Sequence, residues 1–362
     1  MANFNLIGTL RPMKENGFVT KTFDSGWMTQ RLRFMVVADT NTHFVEINAG
    51  KWSDDSKNVI YTYTEPVNGE KSQPIKVEWN ERNNAETIKK IAGWKIMTVD
   101  LEAPGVRQAL RDSGDKEALN ESYEKRHHFL AGTDFCSFVN DMLNNPEFKD
   151  VKFKVRGNVN YNYSDSTGKY YETWEVNKIY MADEDDEATS EMTMDFFFDE
   201  NSFDDSMFED YGKVNINGYT DFYDNATKKK WFAPVTIVAR DKITGWKKKF
   251  TKFEDDEVRM IGVTCQKING AERVAITLAD LSEEVQESVA DGLISEEQAI
   301  RDAGGHMMGN VVREIRLEGL KSGYSMGSKT TAYSASDLVK TPIKEEVVED
   351  IFAEDESDDD DL

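Results

Sequence analysis

Alternation of apolar and polar residues is the feature that most constrains the fold of this chain. In the stretch GWMTQRLRFMVVAD, Leu32, Phe34 and Val36 fall at every second position, and glycines interrupt the runs. Such period-two patterning between glycine-containing turns predicts an antiparallel sheet. Residues 84–148 instead carry helix-forming runs, with YEKRHHFL as a polar helical piece, and strands return from residue 151. We therefore predict a mainly β protein with helical inserts, in the α+β class.

Two hairpin-like stretches, residues 155–179 and 216–240, repeat one another weakly at an offset of 61 residues. Each has a strand with one glycine and alternating aromatic residues, a polar turn, and an aromatic-rich return strand. The N-terminal run from LIGTL to GWMTQRLRFMVV is a looser third copy. The repeat predicts a small β unit that occurs more than once.

A glycine inside a first strand permits the sharp coiling that a small closed barrel demands. A coiled strand followed by an aromatic hairpin is typical of the opening of an oligonucleotide/oligosaccharide-binding (OB) barrel. We predict OB-like antiparallel β-barrels, with an ordinary antiparallel barrel or sandwich as the alternative. Later in the chain, MIGVTCQKI and ERVAITLA are predicted strands joined by a tight turn at Asn269 and Gly270.

These patterns divide the chain into four predicted parts. Residues 1–150 form an N-terminal OB-like barrel with a helical insert, and residues 151–320 form a repeated OB-like β region with a basic and aromatic face. Residues 321–341, rich in Ser, Gly, Thr and Lys, form a flexible linker. Residues 342–362 form a disordered acidic tail.

The charge balance is strongly acidic, with a net charge of -24 over 362 residues. Such a surface repels nucleic acid unless basic residues are gathered locally. Cys136 and Cys265 imply no disulfide framework, and no apolar run approaches the ~18 residues of a membrane helix. We expect an intracellular, cytoplasmic protein without membrane contact.

Catalytic motifs are absent from the sequence. None of the four histidines stands at metal-ligand spacing with a cysteine, and neither a phosphate-binding glycine loop nor a nucleophile elbow occurs. We predict that the chain is not an enzyme and needs no metal or cofactor. A magnesium-dependent nuclease stays open as a less favoured alternative, since carboxylates distant in sequence can converge in a fold.

Residues 228–253 reverse the local charge, with nine basic residues and one acidic residue around interleaved aromatic rings. Cations that follow phosphates, beside rings that stack on bases, are what single-stranded nucleic acid requires. The candidate binding residues here are Lys228, Lys229, Lys230, Trp231, Phe232, Arg240, Trp246, Lys247, Lys248 and Lys249. Further platforms are Tyr161, Tyr163, Tyr170, Tyr171 and Trp174, and Trp27 with Arg31 and Arg33. The competing interpretation is that these rings pack in the core.

Residues 183–210 hold thirteen acidic residues and no basic residue, with phenylalanines between them. The stretch MTMDFFF inside this segment is a candidate strand. The acidic loops on either side contact a protein, shield a groove or are simply solvated, and the sequence leaves these three roles open.

The C-terminal segment 342–362 carries eleven acidic residues against one lysine and ends in Asp358, Asp359, Asp360, Asp361 and Leu362. Upstream, Ile351 and Phe352 fall on the apolar face of a short amphipathic pattern. An acidic tail of this charge can compete with DNA for a basic groove on the same chain. A terminal leucine is not needed for that competition and points to a partner protein.

The opening NLIGTL, the two hairpins and the ending ESDDDDL resemble single-stranded DNA-binding proteins of the bacterial and bacteriophage replication type. Bacterial members usually end in Asp-Asp-Asp-Ile-Pro-Phe and have about half this length, so the resemblance favours a bacteriophage-encoded relative in the host cytoplasm. It implies a protein that coats single strands in DNA replication, recombination and repair and recruits partner proteins through its acidic tip. The alternative is an acidic interaction protein or DNA mimic.

Overall fold

The computed structural model describes residues 2–66, 70–224, 226–251, 253, 257–324 and 327–342. These residues form a mainly β structure with several helices, which confirms the predicted class. The predicted acidic tail, with Ile351, Phe352, Asp358, Asp359, Asp360, Asp361 and Leu362, lies outside the described residues.

Seventeen strands are formed by the described residues. They are β1 (Ala2–Pro12), β2 (Phe18–Thr22), β3 (Trp27–Ala38), β4 (Asn41–Trp52), β5 (Val59–Tyr63), β6 (Pro74–Glu78), β7 (Met97–Asp100), β8 (Arg126–Phe129), β9 (Lys152–Ser164), β10 (Lys169–Met181), β11 (Thr189–Phe198), β12 (Phe203–Asp204), β13 (Val214–Asp224), β14 (Lys229–Ala239), β15 (Arg259–Ala275), β16 (His306–Leu320) and β17 (Lys329–Thr330).

The helices of the same residues are mostly short. They are α1 (Ala85–Ile88), α2 (Pro104–Ser113), α3 (Lys116–Glu124), α4 (Gly132–Asn144), α5 (Phe208–Tyr211), α6 (Ile243–Phe250), α7 (Glu283–Ala290), α8 (Glu296–Asp302) and α9 (Ala335–Leu338). Single 3-10 turns occur at Asp55–Lys57, Trp79–Glu81, Gly93–Lys95, Pro146–Phe148 and Leu278–Asp280.

Five strands close into a ring of backbone pairing, which we call the first circuit. β1 pairs with β3, β3 with β4, β4 with β10, β10 with β9, and β9 returns to β1. All of these pairings are antiparallel except that of β4 with β10, which is parallel. Helix α4 lies in the chain between β4 and β9, and it buries Phe135, Cys136 and Val139 against the circuit.

A second circuit repeats this order of pairing. β11 pairs with β13, β13 with β14, β14 with β16, β16 with β15, and β15 returns to β11. Again one contact, that of β14 with β16, is parallel. Helix α6 takes the place that α4 has in the first circuit, and it buries Trp246 and Phe250.

The two circuits meet along an antiparallel pairing of β1 with β11, from Asn3 opposite Thr193 to Ile7 opposite Thr189. Beyond this point β1 turns to pair with β3. Gly8 stands at the change of partner, where a Cβ would overlap the carbonyl oxygen of Val37. The predicted glycine inside a coiled first strand is therefore a position of close backbone approach. The buried residues of both circuits form one continuous apolar cluster.

The pairing groups the strands differently from the predicted division at residue 150. β9 and β10, residues 152–181, close the first circuit together with strands that end at residue 52. The similar hairpins 155–179 and 216–240 thus occupy different places: β9 and β10 are the fourth and fifth strands of one circuit, and β13 and β14 are the second and third of the other. Local similarity identified hairpins but not their position in the ring.

Three local predictions are wrong. β15 runs unbroken from Arg259 to Ala275, so Asn269 and Gly270 form no turn. Gly270 is instead required by the β3–β4 turn, since a Cβ there would overlap the carbonyl oxygen of Thr40. His127 and His128 lie on the short strand β8 and not on a helix.

The third error concerns the predicted flexible linker. Residues 327–342 lie on the body, where β17 pairs with β15. Leu338 on α9 is buried against Phe197, Phe232 and Val258.

One buried histidine stands where the circuits meet. His43 on β4 stacks on Trp174 of β10, with ring centroids 5.6 Å apart, and its Nε2 lies 2.7 Å from the Oγ of Ser190 on β11. Burial, with the nearby Lys267 ammonium as a smaller cause, lowers the pKa of His43 from 6.5 to about 4. The junction is therefore built for a neutral imidazole.

We predict that Gly270→Ala lowers the free energy of unfolding by about 1–3 kcal/mol, because the added methyl group pushes the β3–β4 turn away from β15. Gly319→Ala on β16 is the matched control, since no atom lies within 4 Å of its added methyl group. Its effect should stay within about 1 kcal/mol of wild type. Urea unfolding curves measure both, and equal effects of the two substitutions would contradict the close approach at Gly270.

We predict that His43 makes the protein less stable in mild acid. Its folded pKa of about 4 lies below the ordinary value of 6.5, so the folded state binds fewer protons between these values. The contribution of the neutral His43 to the free energy of unfolding is fully present above about pH 6.5 and falls by about 2 kcal/mol between pH 7 and pH 5. Urea unfolding at both pH values should show that the free energy of unfolding falls less in His43→Gln than in wild type.

The exposed His306 offers a control for this experiment, since His306→Gln should keep the wild-type dependence on pH. If the free energy of unfolding of His43→Gln depends on pH as that of wild type does, the neutral imidazole at the junction does not make the protein less stable in acid.

Candidate nucleic-acid interface

Several of the predicted stacking residues are buried. Tyr161, Trp174, Phe232 and Trp246 have between 4 and 8% of their surface exposed. Trp174, for example, is enclosed between the rings of Phe4 and His43. A ring without a free face cannot stack on a base, so the structure corrects the prediction for these four residues in favour of core packing.

The remaining rings of the predicted hairpin platforms are mostly occupied by one another. Tyr163 contacts Tyr170, and Tyr170 packs edge-on against Phe222 of the second circuit. Burial raises the pKa of Tyr170 to about 12. Trp231 is half-buried and its Nε1 donates to Thr227 Oγ1. Tyr171, which is 50% exposed, is the open ring of the β9–β10 hairpin.

The two lysine triplets lie on different elements of the second circuit. Lys228 precedes β14 and Lys229 and Lys230 begin it, whereas Lys247, Lys248 and Lys249 lie on α6 after its far end. Lys230 pairs with Asp221 at 2.8 Å, and Lys247 pairs with Asp205 at 3.0 Å.

Arg240, from the same segment, donates to both carboxylate oxygens of Glu314 at 3.0 and 3.1 Å. The segment 228–253 is thus divided among a turn, a core strand and a capping helix. The rings of Phe232 and Trp246 are buried, so they are not available to the predicted basic and aromatic face.

An outer row of side chains on β3 and β4 does bring predicted residues together. Inward positions of these strands, such as Leu32, Phe34, Val45 and Ile47, are buried, so the alternate positions face outward. The register pairs them across the two strands. We call the following five pairs the outer ladder: Trp27–Trp52, Thr29–Gly50, Arg31–Asn48, Arg33–Glu46 and Met35–Phe44.

One end of the outer ladder is aromatic. The rings of Trp27 and Trp52 meet edge to face with centroids 5.3 Å apart. Trp27 lies over Gly50, where a Cβ would overlap its indole ring. The glycine therefore lets the indole lie against the strand. Farther along, Arg33 is paired with Glu46 at 2.9 Å, while Arg31 makes no ion pair with any described residue.

A cluster of rings and cations surrounds this aromatic end. We define the aromatic-basic cluster as Trp52, Tyr61, Trp79, Lys51, Lys57 and Arg82. A groove of about 440 Å³ passes between Trp27, Trp52, Lys57, Tyr61 and Trp79. Tyr61 is 79% exposed. The Lys57 ammonium lies 5.9 Å from the Trp52 ring, and the Arg82 guanidinium lies 4.3 Å from the Trp79 ring.

A smaller group of the same kind stands where β5 ends. The rings of Tyr63 and Trp94 have centroids 5.4 Å apart, and the Lys95 ammonium lies 4.7 Å from the Trp94 ring. Trp94 is 61% exposed. Neither Lys57 nor Lys95 has an ion pair within the described chain. Lys57 lies beside the half-buried Trp52 and near the Asp54 carboxylate, whereas Lys95 lies beside the exposed Trp94.

Trp52, Trp79 and Trp94 were missed by the sequence prediction, which followed the density of lysines in residues 228–253. A signal was present, since Lys51–Trp52 and Trp94–Lys95 are adjacent pairs in polar stretches. Tryptophan next to lysine outside an alternating apolar run indicates a ring with little core to enter.

The second circuit offers an equivalent but more polar face on β13 and β14. A groove of about 370 Å³ is lined by Asn217, Tyr219, Pro234 and Thr236, among others. Burial raises the pKa of Tyr219. The Thr236 hydroxyl donates to Asn217 Oδ1 at 2.8 Å.

The described residues offer neither a metal site nor a membrane-spanning helix. They contain no group of three or more histidine, cysteine, aspartate or glutamate side chains placed to hold a metal ion. None of the helices they form has the length and apolar content to cross a membrane.

Comparison with known proteins gives only distant structural likenesses. No protein-family model matches the chain, and no curated protein sequence matches it. The wild-type single-stranded DNA binding protein from Thermus aquaticus is similar with a TM-score of 0.30 and 11% identity, over 74% of this chain and 85% of that one. A deletion mutant of that protein gives a TM-score of 0.30 and 9% identity, over 74% and 87%.

Proposed function

We propose that this protein binds single-stranded DNA without strong sequence preference, through the outer ladder and the aromatic-basic cluster. The observation that carries the proposal is the position of lysines without an ion pair beside aromatic rings: Lys57 beside the half-buried Trp52, and Lys95 beside the exposed Trp94. A base stacked on such a ring contributes about 1–3 kcal/mol, and the neighbouring ammonium meets the phosphate. Every base has a flat face, so stacking accepts any sequence.

A single strand fits these rings better than a duplex does. In a duplex each base is stacked on its neighbours and offers no free face, whereas unpaired bases can turn outward onto aromatic side chains. Among the open rings, Tyr61 and Trp94 project from the surface beyond the ladder. The surface therefore selects for exposed bases.

The pairing order supports an OB-like barrel in each circuit. Five strands close with one parallel contact, and a helix precedes the fourth strand in both. In OB barrels, the face of the second and third strands binds oligonucleotides. β3 and β4 hold these places in the first circuit, and their outer face is the ladder.

The wider role follows from this binding activity. The protein coats exposed single strands in DNA replication, recombination and repair, in the cytoplasm of a host cell if it is encoded by a bacteriophage. It acts without catalysis and without a cofactor. The acidic C-terminal residues compete with DNA for the basic groups of the ladder and the cluster, and when displaced they recruit partner proteins.

Removal of an open ring should weaken DNA binding. Trp94→Ala and Tyr61→Ala each delete one stacking surface, so each should raise the dissociation constant for an oligo(dT) strand by about 5- to 100-fold. Tyr211→Ala is the matched control, since Tyr211 is also exposed but directly follows the acidic segment 183–210. Tryptophan fluorescence titration at low salt measures all three.

In the same titration, wild-type affinity should fall as salt rises, because cations on the ladder and cluster displace condensed counterions. Absence of binding by wild type at low salt would refute the proposed function and favour the acidic interaction protein or DNA mimic. Cleavage of labelled DNA by the pure protein with Mg²⁺ would favour the nuclease.

Deletion of residues 343–362 should tighten binding to oligo(dT) at low salt, because the deleted residues carry ten more negative than positive charges. The effect should shrink above ~0.2 M salt, where charges are screened over a short distance. A full-length variant with Asp358, Asp359, Asp360 and Asp361 changed to Asn should show part of the same gain. Equal affinity of the deletion and wild type would show that the tail does not compete.

A further inference from the structure

A groove of about 560 Å³ lies where the outer faces of the two circuits meet. Its walls come from one residue of the first circuit, Phe44 on β4, and from β14, β15 and β16 of the second. Thr236, Lys267 and Arg313 are among its lining residues. We call it the junction groove.

Phe44 is the most unusual lining residue, because a large apolar ring there is 60% exposed. It belongs to the last pair of the outer ladder, opposite Met35. Trp52 stands at the other end of the ladder, eight residues away on the same strand and the same face. At about 3.3 Å per residue, the ladder spans roughly 26 Å between these two rings.

The far side of the junction groove opens onto the second circuit. Thr236 lines both the junction groove and the groove that contains Asn217 and Tyr219. The outer ladder, the junction groove and the face of β13 and β14 are therefore contiguous. In the sheet, β15 and β16 lie between β4 and β14 and line the junction groove, which Phe44 and Thr236 both border.

The charges of the junction groove suit a phosphate backbone. Arg313 is exposed and forms no ion pair with the described residues. Lys267 bonds to Glu172 at 3.1 Å. Glu314 is the acidic residue of the lining, and it is neutralised by Arg240 at 3.0 Å and Arg316 at 2.7 Å. A bound strand would therefore meet cations and a ring without an uncompensated carboxylate in the groove lining.

We propose that the junction groove joins the two circuits into one track for a single strand. A base stacks on Phe44, phosphates pass Arg313 and Lys267, and the strand continues along Thr236 toward Tyr219. This inference rests on the proposed function, because it extends the same ligand from the first circuit onto the second. A strand long enough to reach the second circuit gains these contacts, and a short one held at the aromatic-basic cluster does not.

The length of the oligonucleotide distinguishes binding to the first circuit alone from binding along both circuits. One OB unit covers about 4–16 nucleotides, so oligo(dT) of about 10 nucleotides fits on one circuit and oligo(dT) of about 30 reaches both. Arg313→Ala, on the second circuit, should leave the affinity for the short strand within about twofold of wild type. Arg313→Ala and Phe44→Ala should each weaken the long strand about 5- to 10-fold, Phe44→Ala by more than it weakens the short strand, and the number of nucleotides occluded per protein should fall.

Matched controls are available on the surface. Val311→Ala removes a side chain that is 70% exposed on β16, and Lys116→Ala removes an exposed cation from α3. Both controls should bind both lengths like wild type. Circular dichroism and the unfolding midpoint of Phe44→Ala should also match wild type, since the ring is not in the core.

Distinct results would overturn the inference and the proposed function. If wild type binds both lengths and the two variants bind both equally well, the junction groove is not part of the track, and a peptide becomes its better occupant. If Phe44→Ala weakens the short and the long strand alike, Phe44 belongs to the first circuit's own site and joins nothing. If wild type binds neither length, the proposed function itself fails.

Discussion

The backbone of β1 holds the whole structure together, because it pairs with three other strands. It meets β9 along most of its length, β11 from Asn3 to Ile7, and β3 from Thr9 to Pro12. The change of partner falls at Gly8, where any side chain would overlap the carbonyl oxygen of Val37. Since β1 closes the first circuit and also carries the second, the closure of one and the position of the other depend on the same strand.

The closed strand pairing of the first circuit also determines which side chains face outward. Alternate residues of β3 and β4 enter the core, and this places the outer ladder on the opposite face. The residues that follow β4 then add exposed rings, such as Tyr61 and Trp94. A chain with a net charge of -24 can still bind a polyanion at such a surface, because screening at ~0.1 M salt confines electrostatic effects to about 10 Å.

Adjacent aromatic pairs show that a ring on the outer face of a strand can still be buried by another segment of the chain. In the pair Tyr170–Tyr171, one ring packs on Phe222 and the other is open, as alternation demands. In the pair Trp231–Phe232, neither ring is open. Phe232 points to the outer side of β14, but it packs against Phe197, Leu338 and Tyr333 there. Residues 327–342 thus bury a ring that the strand alone would expose.

Much of the local structure was predictable from sequence, because alternation, glycine turns and helix-forming runs act over a few residues. Strands over 27–38, 152–181, 189–198 and 306–320, the helices after residue 278, the acidic balance and the position of Arg31 on the outer face of β3 follow from such patterns. Tertiary structure alone decided that β9 and β10 close the first circuit, that Gly270 meets Thr40, and that Trp174 and Trp246 are buried. These outcomes depend on contacts between residues far apart in the chain, and a period of two cannot say which face of a strand another segment will cover.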